Sequence, residues 1–150
     1  MNTDSDYVDF ESGYDWVDDI SEMHAYYKVH QAVEKFDDTK LAALRRFREN
    51  FLQEELDEAK EATDPADFID AMIDLCVVAI GTLDIYGVDS QEAWHRVHLA
   101  NMAKNVGIKE GRPNPLGLPD LIKPEGWVAP NHDDLVPTRL RRAFSVPLDV

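Results

Sequence analysis

Apolar residues recur at helical spacing over 19–36. Ile20, Met23, Tyr26, Tyr27, Val29, His30, Val33 and Phe36 form one broad stripe. Asp37-Asp38-Thr39 interrupts it, and Thr39 is the expected N-cap of a second helix over about 40–62. The stripe of that helix begins Leu41, Leu44, Phe47, Phe51, Leu52. Asp64-Pro65 marks the next boundary: Asp64 caps a third helix and Pro65 suits its first position, where a missing N–H costs nothing. That helix is expected to run to about Tyr86. Its stretch LCVVAIGTL (75–83) is apolar nearly all round, the pattern of a central, fully buried helix. Gly81 within it predicts close approach of another backbone. Gly87 suits a helix C-terminus, and Asp89 with Glu92 opens a fourth helix reaching about Val106.

Beyond Gly107 the periodicity stops. The segment GIKEGRPNPLGLPDLIKPEGWVAP is rich in Pro and Gly and carries no strand signal. No internal repeat is present. The expected class is all-α: a bundle of four to five helices over 19–106, with an irregular segment over 107–150 that contributes to the site or to an oligomer. Residues 1–18 read as an acidic arm. Its Tyr7, Phe10, Tyr14 and Trp16 either dock on a partner subunit or belong to a mobile segment.

The chain has 150 residues and a net charge of −15, which argues against nucleic acid or anionic membrane as a direct partner. Cations are favoured, and an anionic substrate needs a metal to screen the repulsion. The single cysteine, Cys76, lies in an apolar run and reads as a small buried hydrophobe. Its isolation points to a reducing compartment, and a cytoplasmic location is expected. The N-terminus has no basic stretch followed by an apolar one, and no apolar run approaches the ~20 residues of a membrane span.

Carboxylates sit where the apolar pattern predicts contact. Glu55 and Glu58 share a face that continues through Phe51 and Ala62. Asp70 and Asp74 share another that continues through Val78 and Gly81. At ~1.5 Å per residue both sets lie roughly 9–15 Å from the Asp64-Pro65 turn, so in an antiparallel hairpin they are level. Like charges at that range repel or force protonation, and a divalent cation removes the conflict. An all-oxygen donor set with no paired Cys or His suits Mg²⁺, with Mn²⁺ as a substitute, and argues against zinc. Chance also places acids at such spacings, since the chain holds 30 Asp and Glu. Asp57 and Glu61 read as a solvated face. Whether Glu54 or Asp67 joins the inner set stays open.

Together these residues resemble the MazG-like, all-α nucleoside triphosphate pyrophosphohydrolases. The resemblance rests on EELDE (54–58), DAMIDL (70–75), VVAIG, GVD, VHLANMAK (97–104) and KPEGWVAP (123–130). It is similar to the small phage and bacterial branch with VHxxNMxK and KPxGWxxP signatures. It implies Mg²⁺-dependent hydrolysis of a nucleoside triphosphate between the α- and β-phosphates, in a homodimer or homotetramer. Carried over by motif, Glu55, Glu58 and Asp74 look like metal ligands, Asp70 matches the first aspartate of DAxxD, and Glu54 orients or deprotonates the attacking water. Asn101 and Lys104 look toward the sugar and phosphates, an amide and a cation suited to that task. Lys123 neutralises phosphate charge, while Trp127 stacks on a base or anchors the tail. A purine such as dGTP, in nucleotide-pool control, is the expected substrate, and host cytoplasm the location if the chain is of phage origin. The rival class is a non-enzymatic acidic interaction protein, a nucleic-acid mimic or metal-binding module.

Overall fold

The computed structural model describes residues 15–148, so Tyr7, Phe10 and Tyr14 lie outside the described residues. Asp15 starts helix α1 (Trp16–Tyr26) by accepting hydrogen bonds from the amides of Val17 and Asp18. Trp16 therefore belongs to a helix rather than to the arm. The expected first helix breaks after Tyr27. Lys28 takes a left-handed conformation (φ 56°) and a short α2 (Val29–Val33) follows. That conformation costs a residue with a side chain about 1–2 kcal/mol. The break turns His30 towards the later helices, where its Nε2 lies 2.9 Å from Asp84 Oδ2.

α3 (Asp38–Glu61) and α4 (Pro65–Tyr86) form an antiparallel hairpin. Asp37, not the expected Thr39, caps α3: its carboxylate accepts from the Lys40 amide at 2.8 Å, while Thr39 already lies in the first turn. Asp64 caps α4 as expected, accepting from the Ala66 amide at 2.7 Å, with Pro65 in the first turn. Gly87 (φ 81°) ends α4 in the left-handed conformation that favours glycine. α5 (Ser90–Met102) begins on Asp89, which accepts from the Glu92 amide, and stops short of the expected Val106.

Val106 instead lies in a two-stranded antiparallel ribbon, β1 (Asn105–Gly107) with β2 (Asp120–Ile122), in the register Asn105↔Ile122, Val106↔Leu121, Gly107↔Asp120. Strands this short carry no readable alternation. A Cβ at Gly107 would come within 2.6 Å of Ile122 Cδ1, the far end of a flexible side chain, so a substitution there makes Ile122 turn aside. A 3-10 turn (Asp133–Leu135) and α6 (Thr138–Ala143) complete the described residues. The class is all-α, and no described helix is long and apolar enough to cross a membrane.

The core lies at the end of the hairpin away from the Asp64-Pro65 turn. Val33, Leu41, Ile85, Tyr86 and Ala143 are buried together there, and the Tyr86 hydroxyl donates to the Leu41 carbonyl at 2.7 Å. α6 packs on α3 and is tied by Arg142 Nε to Asp38 Oδ1 at 2.6 Å, so the last segment completes the core. The expectation of a fully buried α4 is corrected. Val78 and Gly81 are buried, Leu75, Cys76, Val77 and Ile80 are half-buried, and Ile69, Met72, Ile73 and Leu83 are exposed. Within one chain the packing of α3 and α1 leaves that apolar side uncovered. Gly81 is approached by side chains, not backbone: a Cβ there would meet Arg48 Nη2 at 3.1 Å and His24 Cε1 at 3.4 Å.

Asp84 clasps the helices together. It accepts from Ser21 Oγ at 2.7 Å, His24 Nδ1 at 2.6 Å and His30 Nε2 at 2.9 Å. Arg139 of α6 lies 3.2 Å from His30 Nδ1 and also donates to the Ile85 carbonyl. A guanidinium only donates, so His30 Nδ1 accepts and Nε2 carries the proton. Burial pushes the Asp84 carboxyl up, but the His24, Ser21 and His30 hydrogen bonds outweigh it and hold the group below its ordinary value. A depressed carboxylate stabilises the fold above its unfolded pKa of about 3.9 and loses that contribution as pH falls through the folded value. Asp84→Asn is expected to cost about 1.5–3 kcal/mol in urea unfolding at pH 7. The gap to the wild type should narrow progressively as the same titration is run at pH values below the ordinary carboxylate range.

Candidate active site

The hairpin brings the predicted carboxylates together, but not as four inward-facing groups. Glu55 alone is buried, at 8% exposure. Asp74 is half-buried, and Glu54, Glu58 and Asp70 are exposed. Local sequence explains the close approach. Ala59 and Ala71 are both buried on the same half of the hairpin, and such small side chains let two helices come near. Further along, Arg48 sets the spacing by donating to Thr82 Oγ1 at 2.9 Å and to the Val78 carbonyl at 3.0 Å. The expectation of an inward Glu58 and Asp70 is corrected because the core lies at the other end, leaving this half of the groove open.

Glu55 holds the unsolved charge. Its Oε2 is buried and has no hydrogen-bond partner among the described residues. Burial pushes its carboxyl up first, followed by Glu58, Asp74, Glu54 and Asp70, in that order. All five predicted acids therefore share one electrostatic site. Glu54 and Asp67 are both exposed. An orphaned buried carboxylate oxygen among oxygen donors suits a hard divalent cation, which Glu55, Glu58, Asp70 and Asp74 would be the residues to hold.

The four acids do not form a ready coordination sphere. Among the described residues, the one group of three or more ligand atoms lying within 4.8 Å of one another is His24, His30 and Asp84. Sequence reasoning missed it and recorded no paired His, because a left-handed Lys28 and a long separation create the pair. The atoms that would bind metal are those already hydrogen-bonded in the clasp. A metal on His30 Nε2 would move the ring proton to Nδ1, which faces the Arg139 guanidinium, a donor and never an acceptor. The hydrogen-bonded form is therefore the one this environment favours.

The second predicted set gathers elsewhere. Continuing the β1–β2 register by one pair sets Lys104 opposite Lys123. Their ammonium groups lie 5.3 Å and 4.7 Å from the ring centre of Trp127. Trp127 Nε1 donates to the Ala100 carbonyl at 2.8 Å, so this indole anchors the segment to α5 while holding two cations. Each such contact is worth about 0.5–1 kcal/mol at an exposed site. Lys104 Nζ also donates to Asn101 Oδ1 at 3.0 Å. Beside this cluster lies a cavity of about 520 Å³ between the C-terminal half of α5 and residues 124–131, lined by Arg96, Leu99, Ala103 and Trp127 among others. Arg96 closes its rim, donating to the Asn131 carbonyl and to both carboxylate oxygens of Asp134, whose pKa it holds at about 2. His95 and His98 are exposed. No hydrogen bond or ion pair among the described residues joins Asn101, Lys104, Lys123 or Trp127 to α3 or α4.

A raised carboxyl binds its proton more tightly in the folded state, so the metal-free fold gains stability as pH falls from neutral towards the raised value. Glu55→Gln keeps the shape and removes the charge. In metal-free buffer at pH 7.5 it is expected to melt at a higher temperature than the wild type, with the difference shrinking as pH is lowered. Mg²⁺ or Mn²⁺ should raise the melting temperature of the wild type and leave that of Glu55→Gln unchanged.

No curated protein and no solved structure matches the chain at a significant level. The sequence model of the family described as phosphoribosyl-ATP pyrophosphohydrolase matches residues 25–101, which span α2 to α5 and include every predicted carboxylate as well as Asn101. With just over half of its length matched, the chain belongs to the phosphoribosyl-ATP pyrophosphohydrolase family, within the MazG-like all-α superfamily.

Proposed function

We propose that this protein is a Mg²⁺-dependent nucleotide pyrophosphohydrolase that cleaves a (deoxy)nucleoside triphosphate between its α- and β-phosphates. The observation that carries this reading is the buried Glu55 carboxylate, with an unpartnered oxygen, at the centre of an acidic groove. A structural core gains nothing from such a group, whereas a cation site needs it. A divalent cation held by Glu55, Glu58, Asp70 and Asp74 supplies the positive charge that lets a polyphosphate approach an acidic groove. Glu54 stands at the exposed edge of this group, open to solvent, where it takes a proton from the attacking water. Attack at the α-phosphorus breaks its bond to the bridging oxygen and gives a nucleoside monophosphate and pyrophosphate. Asn101 hydrogen-bonds the sugar, Lys104 and Lys123 meet phosphate oxygens, and Trp127 holds both cations in place.

A purine such as dGTP is our choice of substrate, with a role in nucleotide-pool control in the cytoplasm of a cell or of a phage host. The matched family's name adds phosphoribosyl-ATP as the compound to test beside it. The exposed apolar side of α4, with Ile69, Met72, Ile73 and Leu83, favours a homodimer or homotetramer, because a surface of that kind is unusual on a monomer.

Pyrophosphate release should be measured with Mg²⁺ on the eight common NTPs and dNTPs and on phosphoribosyl-ATP. At least one is expected to turn over. Glu55→Gln and Asp74→Asn should each lower that rate by about 100-fold or more, exceeding the ~10–100-fold typical of outer-shell partners. Full activity in both variants sinks the site assignment. Light scattering should give a dimer or larger, and Ile69→Glu combined with Met72→Glu should shift it to the monomer.

A further inference from the structure

The segment 104–123 is basic in a chain whose net charge is −15: Lys104, Lys109, Arg112 and Lys123 stand against Glu110 and Asp120. Lys104 and Lys123 converge on the Trp127 ring. Their contacts among the described residues are that indole and, for Lys104, the Asn101 side chain. The same indole lines the cavity of about 520 Å³. Leu99, Ala103, Pro124, Val128 and Pro130 make the cavity wall largely apolar. Glu125 is its acid, and Arg96 is engaged by Glu92 and Asp134. Val128 is 79% exposed and Leu99 55% exposed, so an apolar wall and two cations face solvent side by side. A concave apolar surface with a few charged groups at its edge is the usual form of a binding site.

The segment before Asp15 has the matching character. Residues 1–14 hold four acids (Asp4, Asp6, Asp9, Glu11) and no Lys or Arg. Over 6–11 the chain reads DYVDFE, so Tyr7 and Phe10 each have a carboxylate on a neighbouring residue. The fold fixes where this segment joins the helices. Asp15 accepts from the Gln91 side chain in the first turn of α5, the helix whose far end leads into Lys104. From Gln91 to Ala100 that helix rises ~14 Å, and the cavity wall lies about a third of the way round it. From Asp15 back to Phe10 the chain spans up to ~18 Å, and back to Tyr7 up to ~29 Å. Both aromatics therefore reach the cavity within their own chain. The carboxylates of the α3–α4 groove repel the same segment, so the field of the molecule directs it to the basic surface.

We propose that residues 6–11 lie over the cavity beside Trp127, with an aromatic side chain in it and carboxylates on Lys104 and Lys123, and that a polyphosphate displaces them. The acidic segment is then a built-in competitor for the cationic half of the molecule. Its docking stands on charge, reach and the cavity; its effect on turnover rests on the pyrophosphohydrolase reading. Phosphate oxygens and the segment's carboxylates need the same two ammonium groups and repel each other, so one excludes the other. Exposed ion pairs are individually weak, so the acids set the place and burial of the ring holds it. Both contributions are small enough for a multivalent anion to reverse.

Two experiments on the full chain test this. In the first, a carbodiimide joins touching carboxylates and lysines by zero-length amide bonds, in metal-free buffer, in a mixture of isotopically light and heavy chains. Links within one chain from Asp6, Asp9 or Glu11 to Lys104 or Lys123 are expected, and inorganic tripolyphosphate should abolish them. Links from these acids that run between chains, that fall on other lysines instead, or that do not form overturn the proposal, as do links that tripolyphosphate leaves intact. In the second, calorimetry compares tripolyphosphate binding by the wild type and by Asp6→Asn/Asp9→Asn/Glu11→Gln, again without metal. A segment docked about four-fifths of the time lowers the apparent affinity about 5-fold, so the variant is expected to bind about 5-fold more tightly. The gap should shrink as salt is raised. The same variant should lower KM for the nucleotide that turns over and leave kcat unchanged. Equal affinity, an unchanged KM, or no binding by either chain overturns the proposal. A wild type that forms the links yet turns over no nucleotide would instead sink the functional reading and leave the docking intact.

Discussion

A carboxylate taken out of water must be paired, hydrogen-bonded or neutralised, and the buried Oε2 of Glu55 has no hydrogen-bond partner among the described residues. Much of the molecule answers that constraint. The Asp64-Pro65 turn sets α3 against α4 so that Asp74 comes level with Glu55. Ala59 and Ala71 let the helices close on it. The neighbouring carboxylates raise the cost of the charge instead of relieving it, which leaves the site matched to a cation.

That arrangement needs an anchor, and the hairpin divides its labour along its length. One end holds the apolar core, with Tyr86 bonded to the Leu41 carbonyl and Ala143 of α6 closing the packing. The middle is fixed by polar ties: Arg48 between α3 and α4, and Asp84 gathering Ser21, His24 and His30. The far end carries the acids and almost no core. A repulsive cluster survives there because the remainder of the hairpin holds the helices in place. The same division leaves Ile69, Met72 and Ile73 of α4 in solvent.

The cationic half is built by a different device. A short ribbon brings Lys104 and Lys123 face to face, and one indole takes both ammonium groups. Two like charges converging on a neutral ring favour an anion between them. The ribbon thus joins the NMAK and KPEGW motifs, which the sequence shows only as separate pieces. The chain concentrates negative charge on one surface and positive charge on another, and the two are complementary to each other.

Strong local rules made much of this legible beforehand. Helical periodicity gave α3, α4 and α5. Asp64-Pro65, Gly87 and Asp89 marked boundaries because caps and turns depend on a few adjacent residues. The acids could be set level by counting residues from the turn. Other features depended on distant contacts and were not legible. The break at Lys28 is a local strain tolerated where His30 reaches Asp84. The three-residue strands are too short for a pattern and are defined only by their pairing with each other across a twelve-residue connection. Which acid is buried followed from where the core lies, and apolar spacing is blind to that. Sequence by itself determined the all-α class and the hairpin, since these follow from periodicity and turn chemistry. Only the tertiary structure decided that Glu55 alone is buried, that two lysines share one tryptophan, and that acids and cations stand apart in a single chain, because burial and distance belong to the packed molecule.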